Sequence, residues 1–389
     1  MSSGEHFTIR SFDKEQDGSR VEELERKCEV GIRKSPVLLT DTFGDPLCRI
    51  SNSPMYEMLV AEHGDELVGI IRGSIKVVSI GNPSKDQAKV GYILGLRVSP
   101  LHRRRGIGSL LVRKIEEWFM ANLVDYAYMA TDMKNEASIK LFIDKLGYSK
   151  FRSPTILVNP VGQHASHIPS SARITKLNIA QAEHLLRKFM TSTEFFPQDI
   201  DQVLLNRLSL GTWIAVNASD HEIWNLLEDD DQPKPRSWAM VSVWNCGEVF
   251  KLRVGRAPLA CVLLAKTSRF ISKLLSCINI RAMPDVFNLF GFYFMYGIHG
   301  EGPEAMSLVN SLCHYVHNMG IRCQDCKLVV TEIGGCDIFR HAVPHWKLLS
   351  CSEDLWCIKA MRKKTETSSS FDWITAQPPP NIFVDPRDV

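Results

Sequence analysis

Leu96-Arg97-Val98-Ser99-Pro100-Leu101-His102-Arg103-Arg104-Arg105-Gly106-Ile107-Gly108-Ser109-Leu110-Leu111 reads as the end of an apolar strand, a basic turn and a helix opened by glycines. Upstream, Val90 to Val98 is an apolar run of strand length that Pro100 ends. Downstream, Ile107, Leu110, Leu111, Ile115 and Trp118 share one helical face, and Arg113, Lys114, Glu116 and Glu117 share the other. Such a turn is a cradle for a pyrophosphate, because backbone N–H groups and the positive end of a helix converge on one anion. A solvated turn, or a fragment of a nuclear targeting signal, is the alternative reading of Arg103 to Arg105.

The Arg-x-x-Gly-x-Gly pattern from Arg103 to Gly108 is short, so its context decides which phosphate loop it is. A dinucleotide fingerprint requires a third glycine three residues after the second, where this chain has Leu111. A Walker loop requires Gly-Lys-Ser/Thr after four intervening residues, and the sequence holds none. Among phosphate loops the stretch resembles instead the coenzyme A loop of acetyltransferases.

Composition sets the outer bounds. A chain of 389 residues is long enough for two domains, each with its own core. With 46 basic against 44 acidic residues the net charge is +2, so no global field recruits nucleic acid, and sequence-specific contact with it is not expected. Met1 to His6 lacks an apolar leader, and no run of about 18 apolar residues occurs, which points to a soluble protein of the nucleus or cytoplasm with no membrane partner. The 11 cysteines are an odd, scattered set, as expected of free thiols in a reducing compartment. Cys313, His317, Cys323 and Cys326 are zinc-compatible side chains, yet Cys313 falls among the apolar positions Met306, Val309, Leu312 and Val316 of a helix. Core packing is therefore the expectation there, and no metal.

Periodicity predicts a strand at Phe7 to Phe12, a helix from about Ser19 to Cys28, and a hairpin of Met55 to Glu62 with Glu66 to Val78. Strand Val90 to Val98, helix Ile107 to Asn122, strand Tyr126 to Thr131, helix Asn135 to Leu146 and closing strands near Tyr148 to Val158 follow. The result is an α/β (α+β) fold with a mixed sheet. Residues 1–158 are expected to form a first domain, 159–171 a linker, 172–364 a second domain and 365–389 an irregular tail on which Trp373, Ile382, Phe383 and Val384 could dock. The acidic insert Asn217 to Pro235, including Glu228 to Asp231, reads as a solvated loop.

Arg103-x-x-Gly106-x-Gly108 after a strand ending Leu96-x-Val98 resembles the signature of the GNAT superfamily of acetyl-CoA-dependent N-acetyltransferases. Tyr126 to Thr131, Asn135-Glu136-Ala137-Ser138-Ile139-Lys140-Leu141-Phe142 and Leu146-Gly147-Tyr148 form a second GNAT-like segment in the right order. Thr193-Glu194-Phe195-Phe196-Pro197, His345-Trp346-Lys347 and Ile382-Phe383-Val384-Asp385-Pro386-Arg387 extend a likeness to the plant Hookless family over nearly the whole chain. The second half then resembles a tandem GNAT-like repeat: strand Gly291 to Ile298, turn Gly300-Glu301-Gly302, helix Pro303 to Asn318 and strand Lys327 to Ile333. Its loop carries Glu301 where a pyrophosphate would sit, and Pro303 removes an N–H, so this repeat is expected to be degenerate.

The resemblance implies acetyl-CoA as cofactor. It places the pyrophosphate on Arg103, Arg104, Arg105, Gly106, Ile107, Gly108 and Ser109, and the pantetheine along Leu96, Arg97 and Val98 where that strand splays from Tyr126 to Thr131. A backbone N–H of Leu96 or Val98 is the implied oxyanion donor. Asn135, Ser138 and Phe142 would line the cofactor arm, Asn135 being equally a helix N-cap. Many GNATs have a tyrosine where this chain has Phe142, and it serves as acid for the departing thiolate; its loss is expected to slow turnover rather than forbid it, with Tyr148 or Tyr92 as the available substitute. Asp132 is the carboxylate nearest the arriving amine, ahead of Asp41, Asp45 and Glu57. Acetyl transfer to a protein lysine (histone included) or to an N-terminal amine is the implied activity. The alternative is a weak or inactive acetyl-CoA-binding regulatory protein.

Overall fold

The computed structural model describes residues 7–28, 37–82, 86–219, 235–256, 285–351, 354–362 and 372–389. Glu228 to Asp231 of the acidic insert lie outside the described residues. The first half contains β1 (Thr8–Ser11), α1 (Lys14–Lys27), β2 (Val37–Asp41), β3 (Met55–His63), β4 (Glu66–Ser79), β5 (Gln87–Val98), α2 (Ile107–Ala121), β6 (Tyr126–Asp132), α3 (Glu136–Ile139), β7 (Ser149–Arg152) and β8 (Thr155–Pro160). The second contains β9 (Ala172–Leu177), α4 (Ile179–Met190), α5 (Ile200–Leu205), β10 (Ser209–Asn217), β11 (Trp238–Asn245), β12 (Lys251–Arg256), β13 (Gly291–Glu301), α6 (Ala305–Ile321), β14 (Cys326–Ile333) and β15 (Asp354–Ala360). Helix α1 starts five residues before the predicted position because the Asp13 carboxylate caps the N–H groups of Glu15 and Gln16; the polar first turn carries no apolar periodicity to announce it.

Thirteen of these strands build two sheets with one plan, and β2 pairs with β12 in a separate antiparallel ribbon. The first has the order β1-β3-β4-β5-β6-β15-β7 and the second β9-β10-β11-β13-β14-β8. In each, one parallel pair, β5 with β6 and β13 with β14, is linked by a crossover helix, α2 or α6, and all other ladders are antiparallel. The tandem repeat expected from the sequence is therefore present in the topology.

The expected domain limits need correction, because the repeats exchange strands. β8, assigned above to the first domain, pairs with β14 of the second sheet, while β15, from the second half, lies between β6 and β7. The two exchanged strands take the same place in the two plans, next to β6 and next to β14. Ser153 and Pro154 explain why β8 does not fold back on β7. A two-residue hairpin needs a left-handed residue that proline cannot supply, so the chain runs on extended into the other sheet.

The sheets share a continuous core, with Tyr92 and Tyr128 of the first packed into the same cluster as Met240, Phe294 and Leu328 of the second. The C-terminal segment is irregular in backbone, as predicted, yet it is an interior element: Trp373, Phe383 and Asp385 are each at most 1% exposed. Lys76 of β4 holds it through Asp385 and Asp388, and Arg387 pairs with Asp199 at the start of α5. On the outer faces, α2 covers the first sheet with Ile107, Leu111, Ile115 and Phe119, and α6 covers the second with Leu308, Leu312 and Val316. Cys313 packs in that second core, and His317 Nε2 accepts the Gly162 N–H at 3.0 Å. No group of three metal-ligating side chains converges among the described residues.

Candidate active site

β5 and β6 form the site by ceasing to pair. Their parallel ladder runs from Val90 opposite Tyr126 to Ile93 opposite Met129 and stops there, so Leu94 to Val98 and Ala130 to Asp132 diverge. β6 remains held on its far side by β15 through Asp132 opposite Asp354, and β5 by β4. The β4–β5 register shifts between Ile70 and Arg72, and Gly95 lies at this bulge with φ +64; a Cβ there would meet Arg72 Nη1 at 2.6 Å. Beyond the bulge, Leu96 and Val98 pack toward α2, while Arg97 lines a cavity on the opposite face. The splay leaves a slot whose two walls are backbone edges, suited to an extended arm that carries amide groups.

The turn at the slot's mouth matches the sequence reading. Arg103, Arg104, Arg105 and Gly106 are exposed, and Arg104 and Gly106 have left-handed φ values of 68° and 88°. Gly106 caps α2, and no side chain takes up the first-turn N–H groups. A Cβ at Gly106 would meet nothing within 4 Å, whereas one at Gly108 would lie 3.5 Å from Leu141 and 3.9 Å from Leu96 and Val98. Gly108 is thus packed at ordinary contact distance against the end of β5 and Leu141, with Ser109 partly exposed beside it and Ile107 buried as the anchor of α2. Asn135 caps α3 by accepting the Ser138 N–H at 3.3 Å, and its Nδ2 donates to Thr131 on the splayed end of β6 at 3.1 Å. The cap reading of Asn135 is what the hydrogen bonds display.

Two expected residues sit elsewhere. Phe142 is 1% exposed in the core beneath α2, edge-on to Tyr148, so its role is packing rather than lining the cofactor arm. Tyr148 is buried in the same core and its hydroxyl donates to Glu116 at 3.0 Å; burial, and then the neighbouring Glu116, push its pKa well up. That engagement makes it a core tyrosine and not a general acid for the slot. Asp132 is exposed and accepts the Lys134 N–H in its own turn. Asp41 lines the cavity, while Asp45 and Glu57 accept backbone N–H groups of Leu47 and Met58 close to themselves.

Sequence reasoning missed the groups delivered from the second half of the chain. Tyr92 and Tyr128 stack at 4.7 Å just below the splay, and the Tyr128 hydroxyl donates to Asp388 at 2.7 Å. Beside them Glu332 of β14 and Asp354 of β15 share a hydrogen bond, and Trp356 Nε1 donates to Glu332 at 3.1 Å. Burial, and then the facing Asp354, push the Glu332 carboxyl up to about 8; burial pushes Asp354 up to about 6. The folded state therefore holds protons that the unfolded chain releases above about pH 4, and this pair's contribution to stability falls as pH rises from about 4 to about 8. Glu332→Gln should accordingly melt at least about 3 °C above the wild type at pH 8 and within about 1 °C of it at pH 5, as read by differential scanning fluorimetry.

In the second repeat the β13–β14 ladder also stops, at Met295 opposite Thr331, but the head of the crossover helix differs. Thr331 Oγ1 donates to Met295 O at 2.8 Å across β13 and β14, and the Glu304 N–H at the head of α6 is taken by Ser237 at 3.1 Å. The strand runs further than the sequence indicated, so that Gly300 and Glu301 still pair with Ala239 and Trp238 of β11 rather than forming a turn.

The sequence pattern of the acetyltransferase (GNAT) family matches residues 20–148, which span β3 to β6 and the α2 turn. "Probable N-acetyltransferase HLS1" of Arabidopsis thaliana is 45% identical, over 98% of this chain and 99% of that protein. The chain belongs to the Hookless-type GNAT acetyltransferases. "Acetyl transferase GW6a" of Oryza sativa subsp. japonica is 34% identical over 98% of this chain and 97% of its own. In fold, the GNAT chain is similar to Saccharomyces cerevisiae N-myristoyltransferase with bound myristoyl-CoA, at a TM-score of 0.55 and 10% identity over 94% of this chain and 80% of that one. No helix among the described residues is long and apolar enough to cross a membrane.

Proposed function

We propose that the slot between β5 and β6 binds acetyl-CoA and that the enzyme moves the acetyl group to a primary amine by direct attack on the thioester. The observation that carries this reading is the coincidence of the splayed ladder with a helix at its mouth that opens on Gly106 and has no side-chain cap bond. In this reading Arg103 to Arg105 and the N–H groups of Ile107, Gly108 and Ser109 hold the pyrophosphate. Asn135 and Ser138 flank the pantetheine, and the N–H of Leu96 or Val98 faces the developing oxyanion. With Tyr148 bound to Glu116, the thiolate leaves unprotonated, which a thiol of pKa about 8.5 allows at reduced rate.

A protein lysine, histone included, or an N-terminal amine is the acceptor that the family suggests, and a histone substrate would place the enzyme in the nucleus. The test is a thermal-shift titration of the full chain with acetyl-CoA, followed by transfer of labelled acetyl to lysine and histone-tail peptides. At a ligand concentration about 100 times Kd the binding should stabilise the fold by about 2.7 kcal/mol, a shift of several degrees. No shift would overturn the reading. A shift without transfer to any amine would leave a cofactor-binding regulatory protein.

A further inference from the structure

The cavity beside the slot carries a charge that does not suit a lysine-rich acceptor. It measures about 560 Å³, within the range of small-ligand sites, and opens against Gly95 and Arg97 on the splayed end of β5. Five arginines line it, Arg26, Arg49, Arg72, Arg97 and Arg253, against the three carboxylates of Glu22, Glu25 and Asp41.

These arginines are not equivalent. Arg72 has a structural role: it is ion-paired with Glu25 at 2.9 Å and donates to Pro46 O at 2.7 Å. Arg26 lies 4.0 Å from Glu22 at the exposed rim. Arg49 has a buried Nε with no acceptor, and its guanidinium lies 5.4 Å from the centre of the Phe250 ring. Arg97 donates only to the carbonyl of its neighbour Leu96 at 3.0 Å, and burial pushes its pKa below the ordinary guanidinium value. Among the described residues no carboxylate is paired with Arg49, Arg97 or Arg253, and Asp41 spends one oxygen on the Phe43 N–H at 3.0 Å. Arg49 and Arg97 are half-buried, and cations drawn partly out of water without a partner are costly, a cost that a bound anion removes, while the exposed Arg253 adds its charge at the mouth. A lysine ammonium entering here would instead meet like charge.

We infer that this cavity holds a carboxylate of the acceptor, so that the preferred substrate is an amine borne on an acidic scaffold, anchored by Arg49, Arg97 and Arg253. The inference rests on the acetyl-transfer reading above and narrows its acceptor. A free acidic amino acid and a peptide with an acidic N-terminal residue offer the same chemistry.

The test uses the full-length protein in two measurements. Calorimetry without cofactor compares glutamate with glutamine, and Glu-Ala with Gln-Ala. The acidic member of each pair should bind about 10- to 100-fold more tightly, and Arg49→Met should erase the difference. Labelled transfer from acetyl-CoA should then show the same preference over the amide isosteres and over a histone-tail peptide, with the acetyl-CoA thermal shift unchanged in Arg49→Met. The stronger of the two acidic acceptors identifies the source. Equal binding of acid and amide, or a preference for the histone peptide, would overturn the inference, as would an Arg49→Met protein that keeps the selectivity. Loss of the acetyl-CoA shift in the wild type would count against the transfer reading alone, because calorimetry of the cavity is independent of it.

Discussion

Glu194→Ala should lower the melting temperature by about 5 °C or more. Glu194 is 1% exposed and accepts from Arg152 Nε and Nη2, both at 2.7 Å, and from Trp373 Nε1. Removing one partner of a buried pair strands the other charge, which costs about 3–5 kcal/mol, and an unpartnered indole N–H adds to it. Against a typical total stability of about 5–15 kcal/mol this is a large fraction. The loss should also be located. Residues 194–198 exchange backbone hydrogen bonds with the end of β4, through Phe195 N to Ser79 O and Ser79 N to Phe196 O, and the Glu194 carbonyl accepts the Phe383 N–H. Limited proteolysis of Glu194→Ala should therefore cut first in the segment 372–389. The double variant Arg152→Met with Glu194→Leu should recover much of the loss, since a buried ion pair is often replaceable by apolar side chains. If the double variant melts no higher than the single one, the stranded guanidinium is not the cause.

How much of this was legible in the chain depends on how local the determinants are. The α2 turn, the β3–β4 hairpin and the helix faces each lie within one stretch, and periodicity and turn chemistry report them directly. The strand exchange is not local. Thr155 to Pro160 has the apolar pattern of a closing strand whether it joins the first sheet or the second, and only the position of Pro154 hints that it cannot turn back. Because β14 and β15 come from the far half, Glu332 and Asp354 meet at the splay without any sequence signal. Arg49 and Arg253 reach the cavity by the same non-local route. Phe142 and Tyr148 fall where the family pattern places cofactor contacts, but Glu116 on α2, 32 residues before Tyr148, takes the hydroxyl into the core.

Gly106→Glu should weaken acetyl-CoA binding at least about 50-fold in calorimetry while the protein stays folded. At φ +88 a side chain costs about 1–2 kcal/mol of backbone strain, and with nothing within 4 Å of the new Cβ no clash is added. The carboxylate then stands at the positive end of α2, where the proposed pyrophosphate would face like charge in place of open N–H groups. Gly106→Ala carries the strain without the charge, so it should lose only a few-fold, and the gap between the two variants should shrink as salt is raised. Equal losses would mean that backbone geometry alone matters and that no anion sits there. The second repeat supplies the contrast within the same chain. Gly302 is also left-handed, at φ +91, but a Cβ on it would lie 2.1 Å from Arg236 O and 2.6 Å from Ser237 Oγ. There the glycine lets two backbones touch, so Gly302→Ala should act on folding alone, whereas at Gly106 the missing side chain leaves room for a ligand.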